Sequence, residues 1–148
     1  LPSTDITSLP LEAFMRQALE NLILWSGDAN IVPPHAPSLI EVDENHNEVL
    51  DENRNCIGGF RFPQLDVPIA TYCSGTKKND QDSCFIPFSE EKLKKLYPTR
   101  RDYIDKIFEA IDKLEEQRFF SIVDADQMKL DILKQPVPVR DHNSKFEN

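Results

Sequence analysis

Few residues in this chain are of a type and spacing that could do chemistry. Three histidines are available as bases or ligands, His35, His46 and His142. None stands beside a recognisable nucleophile or orienting acid, and their separations give no H-x-x-x-H ligand spacing. A serine nucleophile on a strand-to-helix elbow would read G-x-S-x-G, a motif this sequence lacks. Ser74-Gly75 lies in a polar stretch and reads as a turn. Carboxylates pair at Glu90-Glu91, Glu115-Glu116 and Asp124/Asp126. At helix starts and on polar faces they serve the macrodipole and solubility, and nothing marks a glycosidase-like pair. Asp43-Glu44-Asn45 has the acidity of a calcium loop but not the central Gly and terminal Glu of an EF-hand. The reading therefore assigns no catalytic residue, no metal ligand and no cofactor site to this chain.

Two features carry more specific chemistry. Cys73 and Cys84 bracket the polar segment 74–83. A disulfide closing it would contribute about 3 kcal/mol in the chain-entropy model, the plainer alternative being two reduced thiols. Cys56 is then left over, to be buried, free or bonded to another chain, and the absence of a C-x-x-C pair speaks against structural zinc. The second feature is Gly58-Gly59-Phe60-Arg61. Adjacent glycines permit positive φ or a close backbone approach. Arg61, between Phe60 and Phe62, could hold a carboxylate at the edge of an apolar pocket. The plainer assignment carries more weight: the glycines bend the chain and Arg61 pairs with a surface acid.

The elements that would position these residues read as an α+β arrangement, mainly helical, with a short β-hairpin and an extended strap. A helix is expected from about Ser8 to Trp25, capped by Ser8 and ended by Gly27, with apolar residues at three- and four-residue spacing. Pro33, Pro34 and Pro37 force an extended path. A strand at 38–42, a polar turn at 43–47 and a return strand at 48–51 make the hairpin. Residues 56–72 form an apolar, proline-punctuated strap. Helices follow from Ser89 to about Leu96, from Thr99 to about Gln117 with Asp102 completing a capping box, and from Asp124 and Gln127 to about Leu133. Residues 1–134 then form one unit and 135–148 a flexible tail. No internal repeat is apparent.

Bulk properties narrow the function. With 26 Asp+Glu against 17 Lys+Arg, the net charge of −9 disfavours nucleic-acid partners. No apolar run reaches the roughly 20 residues of a membrane span. The opening Leu1-Pro2-Ser3 suggests a proteolytically processed or truncated chain.

At Gly58-Gly59-Phe60-Arg61-Phe62-Pro63-Gln64-Leu65-Asp66-Val67-Pro68-Ile69-Ala70-Thr71-Tyr72 the sequence resembles a G-G-[VIF]-R-x-P-x-x-[DE]-V-P-x-A-x-Y stretch. That stretch lies near the end of a family of α/β-hydrolase-domain proteins. The tryptophan-bearing helix with its proline-rich exit, Phe85-Ile86-Pro87-Phe88, Leu96-Tyr97-Pro98-Thr99 with Tyr103, and Phe119-Phe120 before Asp124-Ala125 follow in the same order. The resemblance runs from about residue 8 to residue 133. It implies the carboxy-terminal part of a larger α/β-hydrolase fold whose serine, acid and histidine lie upstream. No catalytic residue is carried over, and no cofactor is implied. The cysteine-flanked segment 73–84 departs from the family pattern and points to a secreted or lumenal protein. Two functions are compatible with this. One is a carboxy-terminal chain or subunit that packs on an ester or acyl hydrolase core and shapes its pocket. The other is a non-catalytic binding or structural protein that keeps the hydrolase framework.

Overall fold

The computed structural model describes residues 9–35, 38–73 and 84–134, excepting the side chains of Cys73 and Cys84. The expectations for Ser8, Ser74, His142, the segment 74–83 and the tail 135–148 lie outside the described residues.

Helix α1 spans Leu11–Gly27. It starts later than its apolar spacing suggests, because Pro10 occupies the N-cap position and offers no side-chain oxygen to the orphan amides. Gly27 is inside the helix and Asp28 ends it, its amide donating to the Leu24 carbonyl. The next helix, α2 (Pro63–Asp66), is one turn opened by proline at its first position. It sits within the expected strap, which is thus not extended throughout. Strands β1 (Ala70–Cys73) and β2 (Cys84–Pro87) pair antiparallel, with Ala70 opposite Pro87 and Cys73 opposite Cys84.

Helix α3 (Glu90–Leu96) begins where Ser89 accepts the Lys92 amide at 3.3 Å. Helix α4 (Arg100–Glu116) begins with the expected capping box: Thr99 takes the Asp102 amide while Asp102 takes the Thr99 amide. Helix α5 (Ile122–Lys134) starts one turn before the expected Asp124/Gln127 pair, because Ser121 accepts the Asp124 amide and donates to its carboxylate. Ser89 and Thr99 cap where expected, and at α5 the capping hydroxyl is Ser121, three residues before Asp124.

Two apolar clusters meet along α4. Tyr103, Ile107 and Ile111 join Val67, Ile69, Leu93, Tyr97, Ala125 and Ile132. At the far end Leu114 joins Ala13, Phe119 and Phe120, with Phe14, Phe60 and Phe62 packed against them. Phe60 is the centre of this aromatic group, 4.5 Å from Phe14, 4.8 Å from Phe119 and 5.0 Å from Phe62 between ring centroids. Such tilted and edge-on pairs add roughly 0.5–1.5 kcal/mol each beyond burial.

The hairpin expected at 38–51 is replaced by a different unit, built on a repeat that the sequence reading missed. Asp43-Glu44-Asn45-His46-Asn47 and Asp51-Glu52-Asn53-Arg54-Asn55 are the same turn, eight residues apart. Asp43 accepts the amides of Asn45 and Asn47 at 2.8 and 2.9 Å, and Asp51 accepts those of Asn53 and Asn55 at 2.8 and 2.9 Å. His46 and Arg54 hold matching left-handed φ values of 62° and 63°. Between the turns the chain closes a ring of three backbone hydrogen bonds: Glu41 N–H to Ile57, Val49 N–H to Glu41, and Ile57 N–H to Val49, at 2.9–3.0 Å. Single bridges at Val42/Glu48, Leu50/Cys56 and Ile40/Gly58 flank it, in place of continuous strands. Two corners of this pseudo-threefold unit are the repeated turns, and the chain enters and leaves at the third. Gly58 is required there: its φ is +79°, and a Cβ would lie 2.2 Å from the Leu39 carbonyl oxygen.

Candidate functional site

The ring unit and α4 flank a half-open cleft of about 370 Å³. That is within the usual size range of small-molecule sites. Gly58, Gly59 and Arg61 all line it, as do Glu41 from the ring and Asp66 from α2. From α4 and the turn after it come Lys113, Leu114, Gln117 and Phe119. The three residues singled out from sequence are thus brought together at one wall. The α4 side, with its exposed lysine and glutamine, had no local signal, because its residues are some fifty positions away and read as an ordinary polar helix face.

Arg61 is already heavily engaged. Its Nε donates to Asp66 at 2.7 Å, and its Nη2 donates to Asp51 at 3.1 Å and to the Leu65 carbonyl at 2.7 Å. Its Nη1 donates to the Cys56 carbonyl. A guanidinium has five N–H groups in a fixed fork, so four of them tie the second repeated turn to α2. The plainer sequence assignment, pairing with nearby acids, describes this geometry. Any contact to a ligand falls to the remaining Nη1 proton.

Cys56 flanks the same wall. Its thiol donates to the Glu48 carboxylate at 3.1 Å. Burial first, then the Glu48 hydrogen bond, pushes it up to about 11. A thiol held protonated at neutral pH is a slow nucleophile. Behind it Asn55 is fully buried and accepts the Tyr72 amide at 2.8 Å. Among the described residues the Asn55 Nδ2 and Tyr72 Oη have no hydrogen-bond partner. The three tyrosines Tyr72, Tyr97 and Tyr103 are raised by burial, Tyr103 to about 12. Tyr97 donates to the Pro68 carbonyl at 3.0 Å. These phenols stay neutral and structural.

The histidines are placed apart. His35 is exposed at the end of the proline segment, and His46 is exposed at its left-handed turn position. The paired carboxylates are used locally. Asp124 takes Arg16 from α1 at 2.5 Å, and Glu90 takes Lys94 within α3 at 3.3 Å. Among the described residues no group of three or more His, Cys, Asp or Glu side chains converges. No described helix is long and apolar enough to cross a membrane.

The remaining feature of the site is the outer surface of α1, where burial is reversed. The residues facing the body are Ala13, Gln17 and Asn21, one per turn. Gln17 donates to Asn21 at 3.2 Å, and Asn21 donates to the Arg118 carbonyl at 2.9 Å. Leu11, Met15, Leu19, Leu22, Ile23 and Trp25 instead face water, each 47–62% exposed. Next to this face, Phe14, Ala18, Leu22, Pro33, Pro34 and Phe119 line an apolar groove of about 210 Å³. Arg118 holds its far wall by donating to the Val32 carbonyl. The breadth of the stripe is legible from spacing and calls for a partner surface; the contacts that turn its polar side to the body, such as Asn21 to the Arg118 carbonyl, are distant in sequence.

Comparison with known proteins bears on the whole chain. The family model described as alpha/beta hydrolase domain matches residues 2–129. No curated protein and no solved structure gives a match. The matched span covers α1, the ring, the cavity wall, the sheet and α4, and reaches into α5, so the chain belongs to the alpha/beta hydrolase domain family.

Proposed function

We propose that this chain is the closing, non-catalytic portion of a serine-type ester or acyl hydrolase. In this reading it packs through α1 on a catalytic core carried by an upstream segment or a partner chain. The cavity wall of Gly58, Gly59 and Arg61 then shapes one side of that core's pocket. Family membership supplies the hydrolase framework. The observation that carries the reading is the reversed burial of α1, which turns Gln17 and Asn21 inward and six large apolar side chains outward. Full burial of one Leu, Ile or Met contributes roughly 1.5–3 kcal/mol, whereas an exposed ion pair contributes about 0–1. Covering this face is therefore a stronger drive to association than any charge on the surface. A contiguous apolar face of this kind marks an interaction site in a folded protein.

The test is purification from the natural source under native conditions, with a fluorophosphonate probe for serine nucleophiles and identification of every associated chain. The expected result is a probe-labelled hydrolase segment that either continues this chain or co-purifies with it. Recovery of the chain as a well-folded monomer, with no labelled segment attached or associated, would contradict the proposal.

A further inference from the structure

The geometry points to a disulfide between Cys73 and Cys84, with Cys56 remaining a thiol. This is independent of the hydrolase reading. The sequence alone sets a Cys73–Cys84 bridge against two reduced thiols and leaves Cys56 over. The sheet register adds a geometric argument for the bridge. Cys73 and Cys84 are directly opposed, as the last rung of the β1–β2 ladder before the segment 74–83. Directly opposed residues of an antiparallel pair have Cα atoms roughly 4.5–5.5 Å apart, with side chains on the same face. A disulfide spans roughly 4.4–6.8 Å between Cα atoms. The register therefore puts the two Cα atoms within the span that a disulfide bridges. The rest of the ladder fixes that register: Tyr72 opposes Phe85, their rings 5.5 Å apart, Thr71 opposes Ile86, and Ala70 opposes Pro87.

Cys56 is held elsewhere. It bridges to Leu50 in the ring unit, and its thiol is bonded to Glu48. Its raised pKa also keeps it out of thiolate exchange at neutral pH.

The oxidant required is a disulfide, either glutathione disulfide or the active-site disulfide of a thiol oxidase. One thiolate of the pair attacks an oxidant sulfur and releases the first thiol. The other thiolate attacks the resulting mixed disulfide and releases the second. Two hydrogens pass from the chain to the oxidant, and one S–S bond is exchanged for another. Such oxidants act in secretory and lumenal compartments. The bridge therefore assigns the maturation of this chain to one of them.

Peptide mapping tests this directly. Trypsin cuts after Arg54, Arg61, Lys77, Lys78 and Lys92, so Cys56, Cys73 and Cys84 fall in separate peptides, 55–61, 62–77 and 79–92. The folded chain is equilibrated with a glutathione and glutathione disulfide mixture, alkylated, and digested without reduction. The expected product is peptide 62–77 joined to peptide 79–92, lighter by two hydrogens than their sum and separated by reduction, with Cys56 alkylated. Alkylated Cys73 and Cys84 in separate peptides, or any bridge that engages Cys56, would overturn the assignment.

Discussion

Helices α1 and α4 are both seventeen residues long, and they solve opposite problems. Helix α4 turns Tyr103, Ile107, Ile111 and Leu114 into the molecule and its charges to water. It opens with a complete capping box. Helix α1 opens on Pro10 with no side-chain cap, turns Gln17 and Asn21 inward, and leaves its leucines, Met15, Ile23 and Trp25 outside. An amphipathic helix gains most of its stability from burying its apolar face. Helix α4 has done so within this chain. Helix α1 has not, and the proposed function assigns its uncovered face to contact with a hydrolase core.

The largest expected effects come from α4. Ile107→Ala leaves a cavity at a fully buried position and should cost about 2–5 kcal/mol, read by denaturant unfolding. Leu19→Ala on α1 should move the unfolding of the same chain by less than about 0.5 kcal/mol. A cost at Leu19 that matches Ile107 would mean its side chain is already covered, and the contrast would fail. Next is the polar underside of α1. Asn21→Ala removes the acceptor for Gln17 and the donor to the Arg118 carbonyl, leaving buried groups unpaired. The cost should be about 1–3 kcal/mol. If Asn21→Ala is neutral while Leu19→Ala is costly, the apolar face of α1 and not its polar side meets the body.

Smaller effects sharpen the difference at the helix starts. Thr99→Ala removes the α4 cap and should cost about 1 kcal/mol. Acid provides the last comparison. The Thr99 side chain and then its backbone amide hold the Asp102 carboxyl below its ordinary range. With the folded pKa depressed, the contribution is present above the unfolded value of about 3.9 and is lost as pH falls through the folded one. The stability gap between the natural chain and Thr99→Ala should therefore narrow as pH drops below about 4. A gap that stays constant down to the folded pKa would mean that Asp102 does not serve the cap. Helix α1, uncapped at Pro10, has no corresponding cap-linked acid step at its start.

Much of this was legible from the sequence where the rule is local. The capping oxygens of Ser89 and Thr99, the stripe of α4 and the proline segment need only neighbours in the chain. The bend at Gly58-Gly59 was legible too, because glycine types report backbone conformation and Gly58 closes a ring at φ +79°. What was lost depended on contacts distant in sequence. The stripe of α1 was visible, but its direction depends on Arg118, ninety-seven positions from Asn21. The cavity joins the ring to Lys113 and Gln117, which carry no mark of their own. The repeated Asp-Glu-Asn-x-Asn turn was present at a fixed spacing and was overlooked. Its period of eight is shorter than the repeats that make solenoids, and its strands shrink to single bridges. The expected hairpin takes the first turn as a strand connection and does not relate it to the second polar turn at 52–55.

The central claim is that the outward face of α1 meets a hydrolase core. The most direct test is the double substitution Leu19→Glu with Ile23→Glu in the native assembly, followed by size-exclusion chromatography and by unfolding of the isolated chain. Both positions are more than half exposed, so the isolated chain should unfold at the same midpoint as the natural one. The predicted result is loss of association with the core, or for a continuous chain a loosened and proteolysis-sensitive α1, with that midpoint unchanged. Retained association, or unfolding of the isolated chain by the substitution, would contradict the account.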